Sequence, residues 1–175
     1  MTLPDNRRTH LVWKAATLAF QGVLVFFLLA TFSPMVAEDS GNPFPLDSPE
    51  HAALNAASEF LGNDAFMLRQ DYWKDDLTTE TGKALRLQFF KGNRYRFFFA
   101  ASKDLLPDNA LLQLRIYDKA SQEVASASST SSTNVVTLEF KPKSTGLYLV
   151  LMSIEVPKNA SAHTGIPSVM FYGYE

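Results

Sequence analysis

Aromatic and acidic side chains are concentrated in one short stretch, from residue 69 to residue 76. Tyr72 and Trp73 are adjacent there, and Asp75 and Asp76 follow closely behind them. An exposed aromatic pair can stack on the apolar faces of sugar rings, while neighbouring carboxylates accept hydrogen bonds from sugar hydroxyls. On a loop, Tyr72, Trp73, Asp75 and Asp76 would form a ligand-binding site for a polysaccharide.

The same four residues allow two other interpretations. Trp73 is one of two tryptophans, and because the other, Trp13, lies in the N-terminal segment outside the folded domain, burial of Trp73 at an end of the core is the commoner outcome. The oxygens of Asp75 and Asp76 could hold calcium, although their spacing matches no known calcium-binding loop. We expect no cofactor and keep calcium as an open alternative.

Signals for catalysis or metal binding are weak along the whole chain. It has no cysteine, which excludes disulfides, thiolate metal sites and a cysteine nucleophile. Outside the N-terminal segment, His51 and His163 are far apart and lack zinc-ligand spacing. A Gly-x-Ser-x-Gly elbow and a glycine-rich phosphate loop are both missing. A carboxylate pair for glycoside hydrolysis could come from residues 71–80, but their crowding around Lys74 is more typical of a solvated turn. We therefore predict no catalytic residues, no metal ligands and no enzymatic activity.

The charge balance bears on the class of partner. The chain carries 16 basic and 18 acidic residues and a net charge of −2, without any basic run. This balance argues against a nucleic-acid partner and against adhesion of the folded part to anionic lipid.

The N-terminal segment has the pattern of an export signal. Basic residues precede an apolar run from Ala15 to Phe32, and cleavage is predicted after Ala37. The run is also just long enough to span a bilayer, so an uncleaved anchor is the alternative. We expect residues 1–37 to be a signal peptide or anchor, 38–47 a linker, and 48–175 the folded domain. The protein is then periplasmic or extracellular, or it is held at the inner membrane by its N-terminal segment alone.

A helix is predicted at the start of the folded domain. Ser48 can cap it, Pro49 suits the first helical position and Gly62 is a natural end. Its apolar stripe comprises Ala53, Ala56, Ala57, Phe60 and Leu61. This stripe predicts packing on the domain, with partner binding as the alternative.

The segment from Lys83 to Ala101 predicts a hairpin at the centre of the fold. A three-residue loop over residues 91–93, with Asn93 in the left-handed region, pairs Phe89 with Tyr95 and directs six apolar side chains into one core. These six are Leu85, Leu87, Phe89, Tyr95, Phe97 and Phe99. Phe90 and Phe98 then point outward, where the helix or a ligand could cover them.

Further strand patterns continue to the C-terminus. Residues 112–116, 123–127, 136–140 and 168–174 read as strands, and the apolar run Leu147 to Ile154 suits a central strand covered on both faces. The predicted fold is mainly β, an antiparallel jelly-roll-like β-sandwich of about eight strands with one N-terminal α-helix packed on it.

Three segments of the strand region have a family-like pattern, namely Lys91–Phe97, Leu114–Asp118 with the following Val124-Ala125-Ser126, and Lys143–Val150. They resemble the bacterial pre-peptidase C-terminal domains, within a similarity covering roughly residues 85–154. The resemblance implies a small jelly-roll module that accompanies secreted hydrolases and binds a polymer, a protein or a cell surface. In some such modules calcium stiffens the fold.

Two functional hypotheses follow from these patterns. The first is an exported, non-catalytic binding or accessory module that recognises a polysaccharide or an envelope protein. The second is a membrane-anchored structural or assembly subunit that uses the helix Pro49–Leu61 or the Tyr72-Trp73 stretch against a protein partner.

Overall fold

The computed structural model describes residues 43–158 and 162–175, which form one helix and nine strands. Helix α1 covers Pro49–Leu61. The strands are β1 (Met67–Leu68), β2 (Trp73–Leu77), β3 (Lys83–Phe89), β4 (Tyr95–Ala101), β5 (Leu111–Tyr117), β6 (Glu123–Ser128), β7 (Val135–Phe140), β8 (Gly146–Glu155) and β9 (Ile166–Tyr174). The predicted export signal and the first half of the linker, residues 38–42, lie outside the described residues, and both the signal and the linker stay predictions.

The strands form two antiparallel sheets with jelly-roll connectivity. Sheet I has the order β2-β9-β4-β7, with the two-residue β1 pairing alongside β2 on the same edge of β9. Sheet II has the order β3-β8-β5-β6. Except for the β5–β6 hairpin, consecutive strands from β2 to β9 do not pair with each other, as in two Greek keys wound into a sandwich. The predicted jelly-roll-like sandwich with one packed helix is confirmed.

The predicted hairpin of β3 and β4 is wrong, although its faces are right. β3 pairs with β8, whereas β4 lies between β7 and β9 in the other sheet. Phe89 and Tyr95 therefore meet across the core, with 4.5 Å between ring centroids, rather than as a strand pair. The turn also takes its positive φ at Gly92, 105°, and not at Asn93.

The physical reason lies in β4, which is buried at every position. Its side chains Phe97 and Phe99 enter the core between the sheets, while Phe98 and Ala100 enter a second apolar layer on the other side. A strand that is apolar on both faces is most stable in the middle of a sheet with cover on both sides. A two-stranded hairpin cannot provide that cover.

Helix α1 provides the second layer of sheet I. Ala53, Ala57 and Phe60 pack on the outer residues Phe98 and Phe171. The start of the helix is set locally, because Ser48 Oγ accepts a hydrogen bond of 3.1 Å from the His51 N–H, with Pro at the first turn. The helix thus packs on the domain as predicted, although Leu61, the last residue of its stripe, stays exposed.

An ion-pair network joins the helix to the end of sheet I. The Arg96 guanidinium lies 3.1 Å from both Glu139 and Glu175, and it lies over the Phe60 ring at 4.3 Å from the centroid. Arg94 bridges the same two carboxylates.

Within the described ranges, no helix is long and apolar enough to cross a membrane.

Candidate functional site

The four predicted site residues lie on or beside β2, where the structure separates them. β2 pairs with β9 along its whole length, so neighbouring residues point to opposite sides of sheet I. Trp73 is half-buried against the core between the sheets, and Tyr72 lies on the helix side. Trp73 begins a strand and the two rings share no face, so they do not form an aromatic pair on one loop, and the half-buried Trp73 agrees with the interpretation that it packs against the core.

Tyr72 is an exposed aromatic side chain, as the predicted site requires. Its ring stacks on Phe171 with 4.4 Å between centroids and meets Phe44 edge-on. It remains 39% exposed. Tyr72 is thus an aromatic ring held in place by its neighbours and still accessible to a ligand.

The two aspartates are also separated by the alternation of β2. Asp75 pairs with Lys83 of β3 at 3.0 Å, which ties sheet I to sheet II along one side of the sandwich. This ion pair, together with a hydrogen bond from the Asp76 N–H, lowers the pKa of the Asp75 carboxyl. Among residues 43–158 and 162–175, no three metal-ligating side chains come together.

The other pKa shifts have equally local causes. The ion pair with Arg69 at 2.8 Å lowers the pKa of Asp71. A hydrogen bond to the buried Glu50 raises the pKa of Lys74. Burial raises the pKa of Tyr172. Each of these shifts follows from an ion pair or from burial in the fold.

The outer side of sheet II is the second candidate, and we call it the open face. The strand register places Leu149 of β8 between Arg86 of β3 and Tyr117 of β5, and directly paired residues share a face. Its outward side chains are Arg86 and Gln88 on β3, Leu147, Leu149 and Leu151 on β8, and Gln113, Arg115 and Tyr117 on β5. Leucines thus run along its centre, with polar and basic side chains on both sides.

The leucines of the open face are accessible. Leu147 is 54% and Leu149 is 38% exposed. The prediction that Leu147 to Ile154 is covered on both faces is therefore wrong, because α1 packs on the other sheet. Of the two outward phenylalanines, Phe98 is covered by the helix, while Phe90, directly after β3, is 51% exposed.

A cavity of about 650 Å³ adjoins the open face, and we call it the β6–β7 pocket. It lies where β6 and β8 begin and β7 ends, between the last strand of each sheet. Leu147 and Val124 line it and are also exposed. Its volume falls in the range of ligand-binding cavities, roughly 300–1,000 Å³.

The charged residues of the pocket differ in whether they are already paired. Asp118 accepts hydrogen bonds from the backbone N–H groups of Ala120 and Gln122, and Glu139 pairs with Arg94 and Arg96. The three lysines that line the pocket are Lys119, Lys141 and Lys143. In the part of the chain that the structure describes, these lysines form no ion pair.

Sequence reasoning did not identify the open face or the pocket. The alternation of leucines at positions 147, 149 and 151 was visible, but no local pattern says which sheet the helix covers. No protein-family model matches this sequence, and no curated protein matches it either. The resemblance to the pre-peptidase C-terminal domains remains a prediction from three short segments.

Proposed function

We propose that this protein is an exported, non-catalytic binding module of the cell envelope or secreted fraction, and that it binds a protein partner through the open face of sheet II. The observation that carries the proposal is the exposure of Leu147 and Leu149 in the centre of that face. Exposed apolar residues rimmed by polar ones are typical of protein interaction surfaces.

The composition of the open face favours a protein over a carbohydrate there. Full burial of a leucine side chain contributes roughly 1.5–3 kcal/mol, which a partner with apolar side chains can provide. Arg86 and Arg115 flank the leucines, and Tyr117 lies beside Leu149. Arginine and tyrosine are enriched among the residues that dominate protein interfaces.

Support for a non-catalytic role comes from the origin of the pKa shifts. Perturbed pKa values often mark catalytic groups. Here three of the shifted groups, Asp71, Lys74 and Asp75, are exposed. Their pKa shifts arise from ion pairs with Arg69, Glu50 and Lys83, respectively. The resemblance to appended jelly-roll modules implies the same class of function.

Affinity capture from an envelope extract tests the protein-binding role. The wild-type domain should retain a defined protein that the variants Leu147→Glu and Leu149→Glu lose, because a charge on the face cannot be buried against apolar side chains. Leu105→Glu is the matched control, since Leu105 is similarly exposed at 50% but lies in the β4–β5 connection. Capture that is unchanged by the Leu147 and Leu149 variants, or lost equally in the control, would contradict the proposal.

Mass spectrometry of the exported protein tests the location and separates the two forms of the hypothesis. A mature chain that starts at Glu38 supports a released module. An intact N-terminus on a membrane-bound chain supports the anchored assembly subunit instead. Retention of the full chain in the cytosol would contradict both forms.

Carbohydrate binding at Tyr72 is a second candidate, favoured by its exposed ring stacked on Phe171. Titration with a panel of oligosaccharides, followed by the fluorescence of the adjacent Trp73, should show saturable changes that Tyr72→Ala abolishes. Tyr117→Ala, on the other sheet, is the control. A flat response across the panel would rule this candidate out.

A further inference from the structure

We propose that the partner presents an acidic, extended segment, and that carboxylates of this segment bind the three lysines of the β6–β7 pocket. The inference rests on the proposed protein-binding function and assigns the chemistry of the partner. It follows from three independent features of the pocket, namely its charge, its apolar lining and the strand edges beside it.

The first feature is the unpaired positive charge. Glu139 pairs with two arginines and Asp118 accepts hydrogen bonds from backbone N–H groups, and neither carboxylate forms an ion pair with a lysine of the pocket. Glu123 accepts a hydrogen bond from the Tyr117 hydroxyl. Lys119, Lys141 and Lys143 have no such partners among the described residues. A ligand that brings carboxylates complements them.

The second feature is the apolar lining, which favours a peptide over an acidic glycan. Val124 and Leu147 present exposed aliphatic side chains to the pocket. The two aromatic rings in the lining, Phe140 and Tyr148, are buried, and the Tyr148 hydroxyl donates to the Ser144 carbonyl at 2.8 Å. Neither ring offers a free face for a sugar to stack on.

The third feature is the backbone beside the pocket. β6 pairs only with β5, and β7 pairs only with β4, so each is the outermost strand of its sheet within the described residues. The first residues of β6 and the last of β7 line the pocket. Open strand edges of this kind bind extended peptides through main-chain hydrogen bonds.

The pocket is continuous with the open face through Leu147, which belongs to both. A single extended segment can therefore place apolar side chains on the leucines of β8 and acidic ones among the lysines. Because successive side chains of an extended chain point to opposite sides, the contacts with the leucines and with the lysines must follow one another along the segment, an apolar half and then an acidic half.

The test uses two labelled synthetic peptides, Leu-Gln-Leu-Gln-Glu-Glu-Glu-Glu, in which an apolar half precedes an acidic half, and the same sequence with glutamine in place of every glutamate. Fluorescence anisotropy with the full domain should show at least tenfold tighter binding of the glutamate peptide at low salt. The advantage should shrink as salt is added, because exposed ion pairs are screened.

Matched lysine variants then locate the interaction. Lys141→Gln with Lys143→Gln should weaken binding of the glutamate peptide about tenfold and leave that of the glutamine peptide unchanged. Lys103→Gln with Lys158→Gln is the control, since it removes the same charge from exposed lysines away from the pocket. Equal binding of the two peptides, no binding of the glutamate peptide at millimolar concentration, or equal losses in the two variant pairs would overturn the inference.

Two further measurements distinguish failure of this inference from failure of the proposed function. They are binding of oligogalacturonate and capture of the partner by the lysine and leucine variants. Lysine-dependent binding of oligogalacturonate without binding of the glutamate peptide would overturn the peptide assignment in favour of an acidic glycan. Capture that depends on Leu147 and Leu149 but not on Lys141 and Lys143 would overturn this inference and leave the proposed function standing. Capture that depends on both pairs supports both.

Discussion

Both sheets carry apolar residues on their outer sides, but the helix covers only the outer side of sheet I. On sheet I, Phe98 and Phe171 are buried under Ala53, Ala57 and Phe60. On sheet II, leucines of β8 face outward without cover from the described part of the chain. The same local pattern, apolar residues on both faces of a central strand, thus stabilises the fold in sheet I and leaves an accessible apolar surface on sheet II.

Under the proposed function, this difference separates the residues that stabilise the fold from those that bind the partner. Residues on the helix-covered side should control the free energy of unfolding, because removing them leaves a cavity in a closed layer. Residues on the open face should affect partner binding with little effect on folding, since they contribute half-exposed surface to the isolated domain.

The largest expected effect is on the helix-covered side. Phe98→Ala should lower the free energy of unfolding by about 3–5 kcal/mol, since Phe98 is fully buried and contacts the rings of Phe60 and Phe66. Leu149→Ala on the open face should cost less than about 1 kcal/mol. Urea denaturation of the two variants measures both values, and similar losses would contradict the distinction.

Two glycines give a second matched pair. A Cβ at Gly173 in β9 would lie 2.5 Å from the Phe66 ring and 2.6 Å from the Met67 carbonyl oxygen. Gly173→Ala should therefore destabilise the domain by about 1–3 kcal/mol. Gly146→Ala in β8 meets nothing within 4 Å and should stay within about 0.5 kcal/mol of the wild type. Thermal unfolding of the two variants measures both changes in stability. Equal changes would show that sheet I is not more closely packed than sheet II at these positions.

The ion-pair network offers a smaller effect on the helix-covered side. Arg96→Met should cost about 1–2 kcal/mol, because Glu139 and Glu175 lose a partner and Phe60 loses the guanidinium above it. Arg94→Met, which removes a half-exposed arginine from the same carboxylates, should cost less than about 1 kcal/mol. Urea denaturation at low and high salt measures the two costs. The reverse order would mean that the contact with the helix contributes nothing.

The smallest effect concerns pH and the Asp75–Lys83 pair between the sheets. The folded pKa of Asp75 lies below its usual 3.8, so its contribution to stability is fully present above that pH and is lost as the pH falls through the folded pKa. Asp75→Asn should flatten the acid side of the stability curve, and Lys83→Gln should do the same. Unfolding measured from pH 6 down to pH 2 checks this, and an unchanged acid slope in both variants would count against it.

Local signals predicted the helix and the faces of the strands, because both depend on neighbours in sequence. Ser48 and Pro49 set the helix start, and alternation placed Phe97 and Phe99 in the core. Strand pairing is different. β3 pairs with β8, and β9, the last strand, pairs with β4. The two apolar faces of β4 favour a central position, but no residue of β3 or β4 specifies the partner strand, which depends on how all the strands pack together.

The candidate site shows the same limit. The residue types around Tyr72 and Trp73 were noticed, but their use depends on β2 being a strand, which turns the two rings to opposite sides. The open face depends on which sheet α1 covers. On sheet I the helix covers an apolar outer side that includes Phe98 and Phe171, whereas the outer side of sheet II mixes leucines with polar and basic side chains.

Site-specific photo-crosslinking tests the central claim most directly. A photoreactive residue at Leu149 on the open face, and in a second sample at the exposed Leu61 at the end of α1, is activated in the presence of envelope extract. We expect a discrete adduct with one protein from position 149 and none from position 61. The absence of an adduct at 149, or the same adduct from both positions, would contradict the assignment of the open face as the binding surface.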